Sequence, residues 1–331
     1  MENRELGRSG LVVSALGLGC MGMSEFYGTP DEAEAIRTIH RALDLGVTLL
    51  DTADVYGYGA NERLVGRALA GRREHAIVAT KLGIVRGSEG SIAGYDGRPE
   101  YVRAACEASL ERLGIDVVDL YQLHRPDPKT PIEDTVGAMA ELVREGKVRY
   151  LGLSEVGPED LRRAATVAPI ASLQSEYSLF ERGVEAEVLD VCEELGTGFL
   201  AYAPLGRGML TGRFHARNDL EDSDSRLATP RFAEANLDRN VELLGRLERE
   251  ARARAVTPGQ LALAWLLAQR PWLVPIPGTK WVRFLEENVA AAAIDLTPES
   301  AARLAVAIPA ADVAGERYPP ERMPGWVSPQ R

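Results

Sequence analysis

Ser14-Ala-Leu-Gly17-Leu-Gly19-Cys-Met-Gly22-Met-Ser-Glu-Phe-Tyr-Gly28-Thr29-Pro30 is the stretch that decides the fold. An apolar run at 14–18 leads into Gly17-x-Gly19-x-x-Gly22, the spacing of a dinucleotide-binding turn. In that turn the helix opens at the glycines, so that its N-terminus meets a pyrophosphate. Here the next helix start is Thr29-Pro30-Asp31, a cap followed by a proline and an acid, well past the glycines. The glycines therefore read as a turn at a strand end, where backbone can approach a ligand closely. A short-chain dehydrogenase also fails, because none of the ten tyrosines has lysine four positions on.

Beyond this stretch, short apolar runs alternate with helical spacing. Strands are expected at 14–18, 47–50, 76–79, 119–122, 148–153, 172–174, 198–201 and 273–276. Helices with apolar residues three and four apart are expected at 31–44, 61–69, 99–113, 132–144, 158–167, 184–195, 258–269 and 282–291. Eight strand-helix units predict an α/β fold with parallel pairing, closed as a (β/α)8 TIM barrel in a single domain over 1–331. An open doubly wound sheet is the competing arrangement. Long loops at 83–98 and 204–236 follow strands, so they fall on the face where a barrel keeps its active site. A proline-rich tail occupies 309–331.

The composition is 45% hydrophobic and 26% charged, with net charge −11, which argues against a nucleic-acid or anionic-membrane surface. Cys20, Cys106 and Cys192 are odd in number and form no CxxC, so a reducing, cytoplasmic setting is expected. The N-terminus lacks an apolar signal core, and no run is long enough to span a membrane. Four scattered histidines give no metal pattern. Lysine occurs only at 81, 129, 147 and 280, so the retained lysines are candidates for work arginine cannot do.

Polar residues cluster at the expected strand ends. Asp51-Thr-Ala-Asp54-Val-Tyr56 follows the second strand, Thr80-Lys81 the third and Leu123-His124 the fourth. In a barrel these ends face one mouth, so Asp51, Tyr56, Lys81 and His124 should converge. An ammonium beside Tyr56 would lower the phenol pKa, Asp51 would orient Lys81, and His124 would hydrogen-bond a substrate oxygen. The set reads as a tuned acid that protonates an alkoxide as hydride arrives.

These motifs resemble the aldo-keto reductase superfamily. Gly46-Val-Thr-Leu-Leu-Asp-Thr-Ala-Asp-Val-Tyr-Gly57, with Asn61-Glu62 and Gly66, is similar to its aspartate and tyrosine signature. Ala79-Thr-Lys81, Tyr121-Gln-Leu-His124, Lys147–Ser154, Gln174, Tyr202-Ala-Pro-Leu-Gly206 and Pro275-Ile-Pro-Gly-Thr279 continue it in order. Leu123-His-Arg-Pro-Asp-Pro128 leans towards the bacterial and plant branch that includes perakine reductase-like and auxin-induced-like proteins.

The resemblance implies NADPH-dependent reduction of an aldehyde or ketone, reversibly. The catalytic tetrad would be Asp51, Tyr56, Lys81 and His124, with Tyr56 as general acid. NADPH would lie extended across the mouth, with NADH an alternative. The implied cofactor residues are Gly19, Cys20, Met21, Asp51, Ser154, Gln174, Tyr202, Pro204, Leu205, Gly206, Gly208, Gly278, Thr279, Lys280, Phe284, Glu287 and Asn288. Ser154 and Gln174 would hold the carboxamide, Tyr202 would stack on the nicotinamide, Lys280 would meet the 2′-phosphate, and Glu287 and Asn288 the adenine. Phe26, Tyr27, Tyr95 and Arg125 are expected to line the substrate pocket, where Arg125 would suit an anionic or sugar-like substrate. Glu155 departs from the asparagine common in the superfamily, and Trp281 stands where relatives often carry a second basic residue.

Two other functions share this pattern. An NADPH-binding regulatory module of the channel β-subunit type would use the same tetrad with little turnover. A Schiff-base lyase would use Lys81 as nucleophile, but an ion-paired lysine stays protonated and is a poor one.

Overall fold

A computed structural model describes residues 1–87, 91–221, 224–320, 323–324 and 326. The loops expected at 83–98 and 204–236 and the tail at 309–331 each include residues outside this set.

The chain opens with an antiparallel hairpin, β1 (Asn3–Glu5) and β2 (Val12–Ser14). The barrel strands follow: β3 (Leu18–Gly19), β4 (Leu49–Asp51) and β5 (Ile77–Leu82). After a second hairpin, β6 (Ile84–Arg86) and β7 (Ile92–Tyr95), come β8 (Val118–Leu123), β9 (Val148–Ser154), β10 (Ser172–Glu176), β11 (Gly198–Tyr202) and β12 (Leu273–Pro275). The order β12-β11-β10-β9-β8-β5-β4-β3 is parallel throughout. The ring closes where Gly17 N donates to Pro275 O and Gly19 N to Pro277 O, with Gly19 bridging Gly278 in parallel. The fold is a (β/α)8 barrel.

The helices are α1 (Glu32–Asp44), α2 (Ala60–Leu69), α3 (Pro99–Leu113), α4 (Ile132–Arg144) and α5 (Pro158–Val167). They continue with α6 (Val188–Leu195), α7 (Glu234–Ala253), α8 (Pro258–Leu267), α9 (Val282–Ala290) and α10 (Pro298–Ala307). Several begin as the sequence signals. Asp31 accepts from Glu34 N, and Thr257 forms a capping box with Gln260.

Several of these elements were not among those expected, α10 included. α7 begins at the end of the expected 204–236 loop and runs on through a stretch that was assigned no element. It buries Leu237, Leu243, Leu244 and Leu247 on one face. The β6–β7 pair folds what reads as a loop. The β1–β2 hairpin sends Leu6, Leu11 and Val13 into the barrel axis, where they pack with Leu49, Ala79, Leu120, Leu200 and Val274. The hairpin is therefore the floor of the barrel. Gly198 makes this close approach possible: a Cβ there would meet the Leu6 backbone at 2.6 Å. No helix among the described residues is long and apolar enough to cross a membrane.

Gly198→Ala should therefore push the floor off the barrel and cost about 1–3 kcal/mol. Urea denaturation would read this as a lower midpoint, and an unchanged midpoint would sink it.

Candidate active site

Successive side chains on a strand face opposite sides of the sheet. Leu49, Ala79, Leu120, Tyr150, Leu200 and Val274 belong to the axial cluster. Continuing each series by twos towards the C-terminal mouth brings Asp51, Lys81, Gln122, Ser154, Tyr202 and Ile276 to the axis. One more step beyond Gln122 is His124. The barrel thus changes from apolar to polar within about one residue pair at its mouth.

Lys81 is fully buried and Asp51 is 5% exposed in its side chain, with Lys81 Nζ 2.6 Å from Asp51 Oδ2. Lys81 also donates to Thr52 O at 2.8 Å and to the Tyr56 hydroxyl at 3.4 Å. The other Asp51 oxygen accepts from Gln174 Nε2 at 2.8 Å and Gln122 Nε2 at 3.4 Å. A buried ion pair is tolerable when its remaining lone pairs and protons are satisfied in this way. The Tyr56 ring meets His124 edge-on, with centroids 5.6 Å apart. The structure brings all four expected residues together.

The phenol is tuned in the opposite direction to the sequence expectation. Burial, and then the negative charge of Asp51, push Tyr56 well above its ordinary pKa. Lys81 is paired with Asp51, and these two effects outweigh its pull on the phenol. Burial also lowers Lys81, against the pull of Asp51. His124 is held well below its usual range by burial and by Lys81, Arg125 and Arg86, so its imidazole is neutral near pH 7.

These groups adjoin a cavity of about 520 Å³. Its wall includes Gly19, Met21, Asp51, Ser154, Gln174, Tyr202, Pro204, Leu205, Gly208, Gly278, Thr279, Lys280, Phe284, Glu287 and Asn288, with Phe26, Tyr27 and Arg125. Lys81 sits behind this wall, and three of the expected cofactor and substrate residues also lie off it. Cys20 turns into the core between the sheet and α1, and its thiol donates to Leu18 O. Gly206 is tucked under the turn at Gly206–Thr211, while its neighbours face the cavity. Tyr95 is exposed outside the cavity, because its segment folds back as a hairpin and the wall there is Ile84, Arg86 and Ile92.

The cavity also has walls that the sequence reading did not find. Arg213 stacks on the Phe284 ring at 3.4 Å from its centroid and pairs with Glu287 at 2.5 Å. It closes the 204–214 segment over the far end. Arg86 lies over both the Phe26 and Tyr58 rings, at 5.5 and 5.2 Å, and pairs with Glu25. Tyr318, from the proline-rich tail, lines the cavity beside Tyr202, their hydroxyls 3.1 Å apart. Arg317 is buried and anchors that tail, holding both Glu155 oxygens at 2.7 and 2.8 Å. Glu155 also accepts from the Tyr202 hydroxyl and Glu176 N. Burial alone would raise Glu155, but the charges of Arg317 and Arg125 hold it below the usual carboxylate range. Neither Arg213 nor Tyr318 sits in a motif or a periodic segment, so no local signal marks them.

The family model described as Aldo/keto reductase family matches residues 15–308. The chain belongs to the aldo/keto reductase family. A probable aldo-keto reductase 1 of Glycine max is 45% identical over 316 residues, covering 95% of this chain and 91% of that protein. Aldo-keto reductase yakc of Schizosaccharomyces pombe, whose name specifies NADP(+), is 42% identical over 325 residues, covering 97% and 95%. Among solved structures, the glycerol dehydrogenase AKR11B4 from Gluconobacter oxydans superposes with a TM-score of 0.85 at 33% identity, covering 97% of this chain and 98% of that one. As a member of this family, the protein is an oxidoreductase.

Asp54, one turn from Tyr56, offers a check on this site's electrostatics. Its Oδ1 is sealed without a partner, and burial together with the charge of Glu62 pushes the carboxyl up to about 7. Between the unfolded value and about 7 the folded chain therefore holds a proton that the unfolded chain has released. Stability falls as pH rises through that window. Asp54→Asn should raise stability above pH 7 by about 1–2 kcal/mol and give no gain at pH 4. Thermal melts across pH would read this, and an equal gain at both ends would refute it.

Proposed function

We propose that the protein reduces an aldehyde or ketone with NADPH, with Tyr56 as the proton donor. One arrangement carries the reading: the Tyr56 hydroxyl stands 3.4 Å from a buried ammonium that is itself paired with Asp51, in a cavity whose wall continues to Lys280, Phe284 and Asn288.

A bound reduced nicotinamide supplies the hydride. The residues supply the rest. Tyr56 keeps its proton across neutral pH because burial and Asp51 disfavour the tyrosinate. An alkoxide is a stronger base than any tyrosinate, so the proton moves only as hydride arrives. The negative charge left on Tyr56 then faces the Lys81 ammonium, in a site where that attraction is strong. His124, neutral, offers a hydrogen bond to the carbonyl oxygen without adding a competing charge.

The cavity lining supports NADPH as the cofactor. Ser154 and Gln174 line the cavity near Tyr202 and would orient the carboxamide. Lys280 lines the opposite end and donates to Tyr27 O at 2.9 Å and Thr29 O at 2.6 Å. No carboxylate among the described residues lies within ion-pair distance of it, although Glu221, Asp31 and Asp224 act on it from farther off, and one of its three donors is left for a 2′-phosphate. Arg213, stacked on Phe284, supplies a second cation at the end where Trp281 does not.

Oxidation of NADPH and NADH at 340 nm with a panel of aldehydes and ketones tests this. Tyr56→Phe should lower kcat by about 10²–10⁴-fold with NADPH binding retained. Lys280→Met should weaken NADPH by about 10- to 100-fold and leave NADH nearly unchanged. Full activity in Tyr56→Phe, or equal losses for both cofactors in Lys280→Met, would remove the corresponding part of the reading.

A further inference from the structure

The charged side chains that line the cavity are matched, with two exceptions. Arg86, Arg207, Arg213 and Arg226 each have a carboxylate at ion-pair distance. Lys280, at the cofactor end, has none in such contact among the described residues, and neither does Arg125, which feels the charge of Glu155 without touching it. Arg125 follows His124 directly at the end of β8 and lines the same cavity as Tyr56 and His124. Its Nη1 donates to His124 O at 2.7 Å and Ser154 Oγ at 3.2 Å, which fixes the plane of the guanidinium. The Nε and Nη2 edge has no partner among the described residues. Elsewhere in this protein that same edge holds carboxylates: Arg226 on Asp224, Arg182 on Glu185 and Arg98 on Asp96. Glu155, the carboxylate whose charge reaches Arg125, has both its oxygens occupied by Arg317, and Asp127, two positions on, is held by Gly97 N, Lys129 N and the Thr130 hydroxyl. A planar fork with two parallel donors matches a carboxylate in geometry as well as charge.

We propose that Arg125 binds a carboxylate on the substrate, so that the preferred substrates are carbonyl compounds carrying an acid group. This rests on the carbonyl-reductase reading. Arg125 holds the acid on its Nε and Nη2 edge while the carbonyl faces Tyr56 and His124. Neutral carbonyls enter the same cavity but leave that edge to water.

The test pairs each acid with a neutral counterpart: 4-carboxybenzaldehyde with 4-formylbenzamide, and succinic semialdehyde with its methyl ester, at pH 7 with NADPH. In wild type, kcat/KM should favour the acid of at least one pair by about 10- to 100-fold. Arg125→Gln should collapse that ratio, and Arg125→Lys should restore part of it, since a point charge lacks the fork. Thermal stabilisation of the NADP+ complex by benzoate, but not benzamide, should disappear in Arg125→Gln. A ratio that is unchanged in Arg125→Gln, including the case where only NADPH affinity falls, overturns the inference. If wild type turns over none of the four aldehydes, the reductase reading fails, and the benzoate shift, lost or kept in Arg125→Gln, decides the carboxylate site by itself.

Discussion

Two opposite charges removed from water, Lys81 and Asp51, are the constraint on which the mouth of this barrel depends. Each alone would be costly to bury, and removing one partner would strand the other. Their 2.6 Å contact joins β4 to β5, and the amides of Gln122 and Gln174 extend the tie to β8 and β10. Four strands are thereby held at one height around the axis. The phenol of Tyr56 sits on this assembly and takes its acidity from it. Because the ammonium is already balanced, Tyr56 keeps its proton until a stronger base appears, which suits an acid better than an anion waiting in the resting site.

A second buried set holds the opposite wall. Arg317 joins Glu155, Arg231 joins Glu176 and Glu181, and Arg207 also reaches Glu176. These contacts connect the ends of β9 and β10 to the 204–232 segment and to the tail. The tail is thus part of the cavity wall through Tyr318, and it is held by charge at Arg317 as well as by apolar packing of Val313 and Trp326. Glu176, reached by Arg207, Arg231 and Arg317, is the centre of this set, and Glu155 ties it to the Tyr202 hydroxyl.

Much of the fold was legible because the barrel strands are short apolar runs and the helices carry clear starts such as Thr257-Pro258. The four central residues were legible because each follows an apolar run, and a parallel barrel gathers such ends. What escaped has identifiable causes. α7 is rich in charge and buries a narrow leucine face, so its period is masked by arginine and glutamate. The β1–β2 floor is built from three-residue strands, too short to register as a pattern. Cys20 was included with its glycine neighbours, but alternation turns its side chain to the helix layer. The direction of the Tyr56 shift depended on how Lys81 and Asp51 share charge, which spacing does not encode. Arg213 and Tyr318 reach the cavity from segments with no period, and only the folded chain brings them there.

Arg86 lies over Phe26 and Tyr58, and so fastens the segment after β3, the turn that carries Tyr56 and the β6–β7 hairpin into one rim. A rim built this way does not change one residue at a time. Loss of either aromatic exposes the guanidinium stem, and loss of the arginine leaves two exposed rings unsupported. Among relatives, positions 26, 58 and 86 should therefore covary, and a graft that reshapes this side of the pocket must move all three loops together.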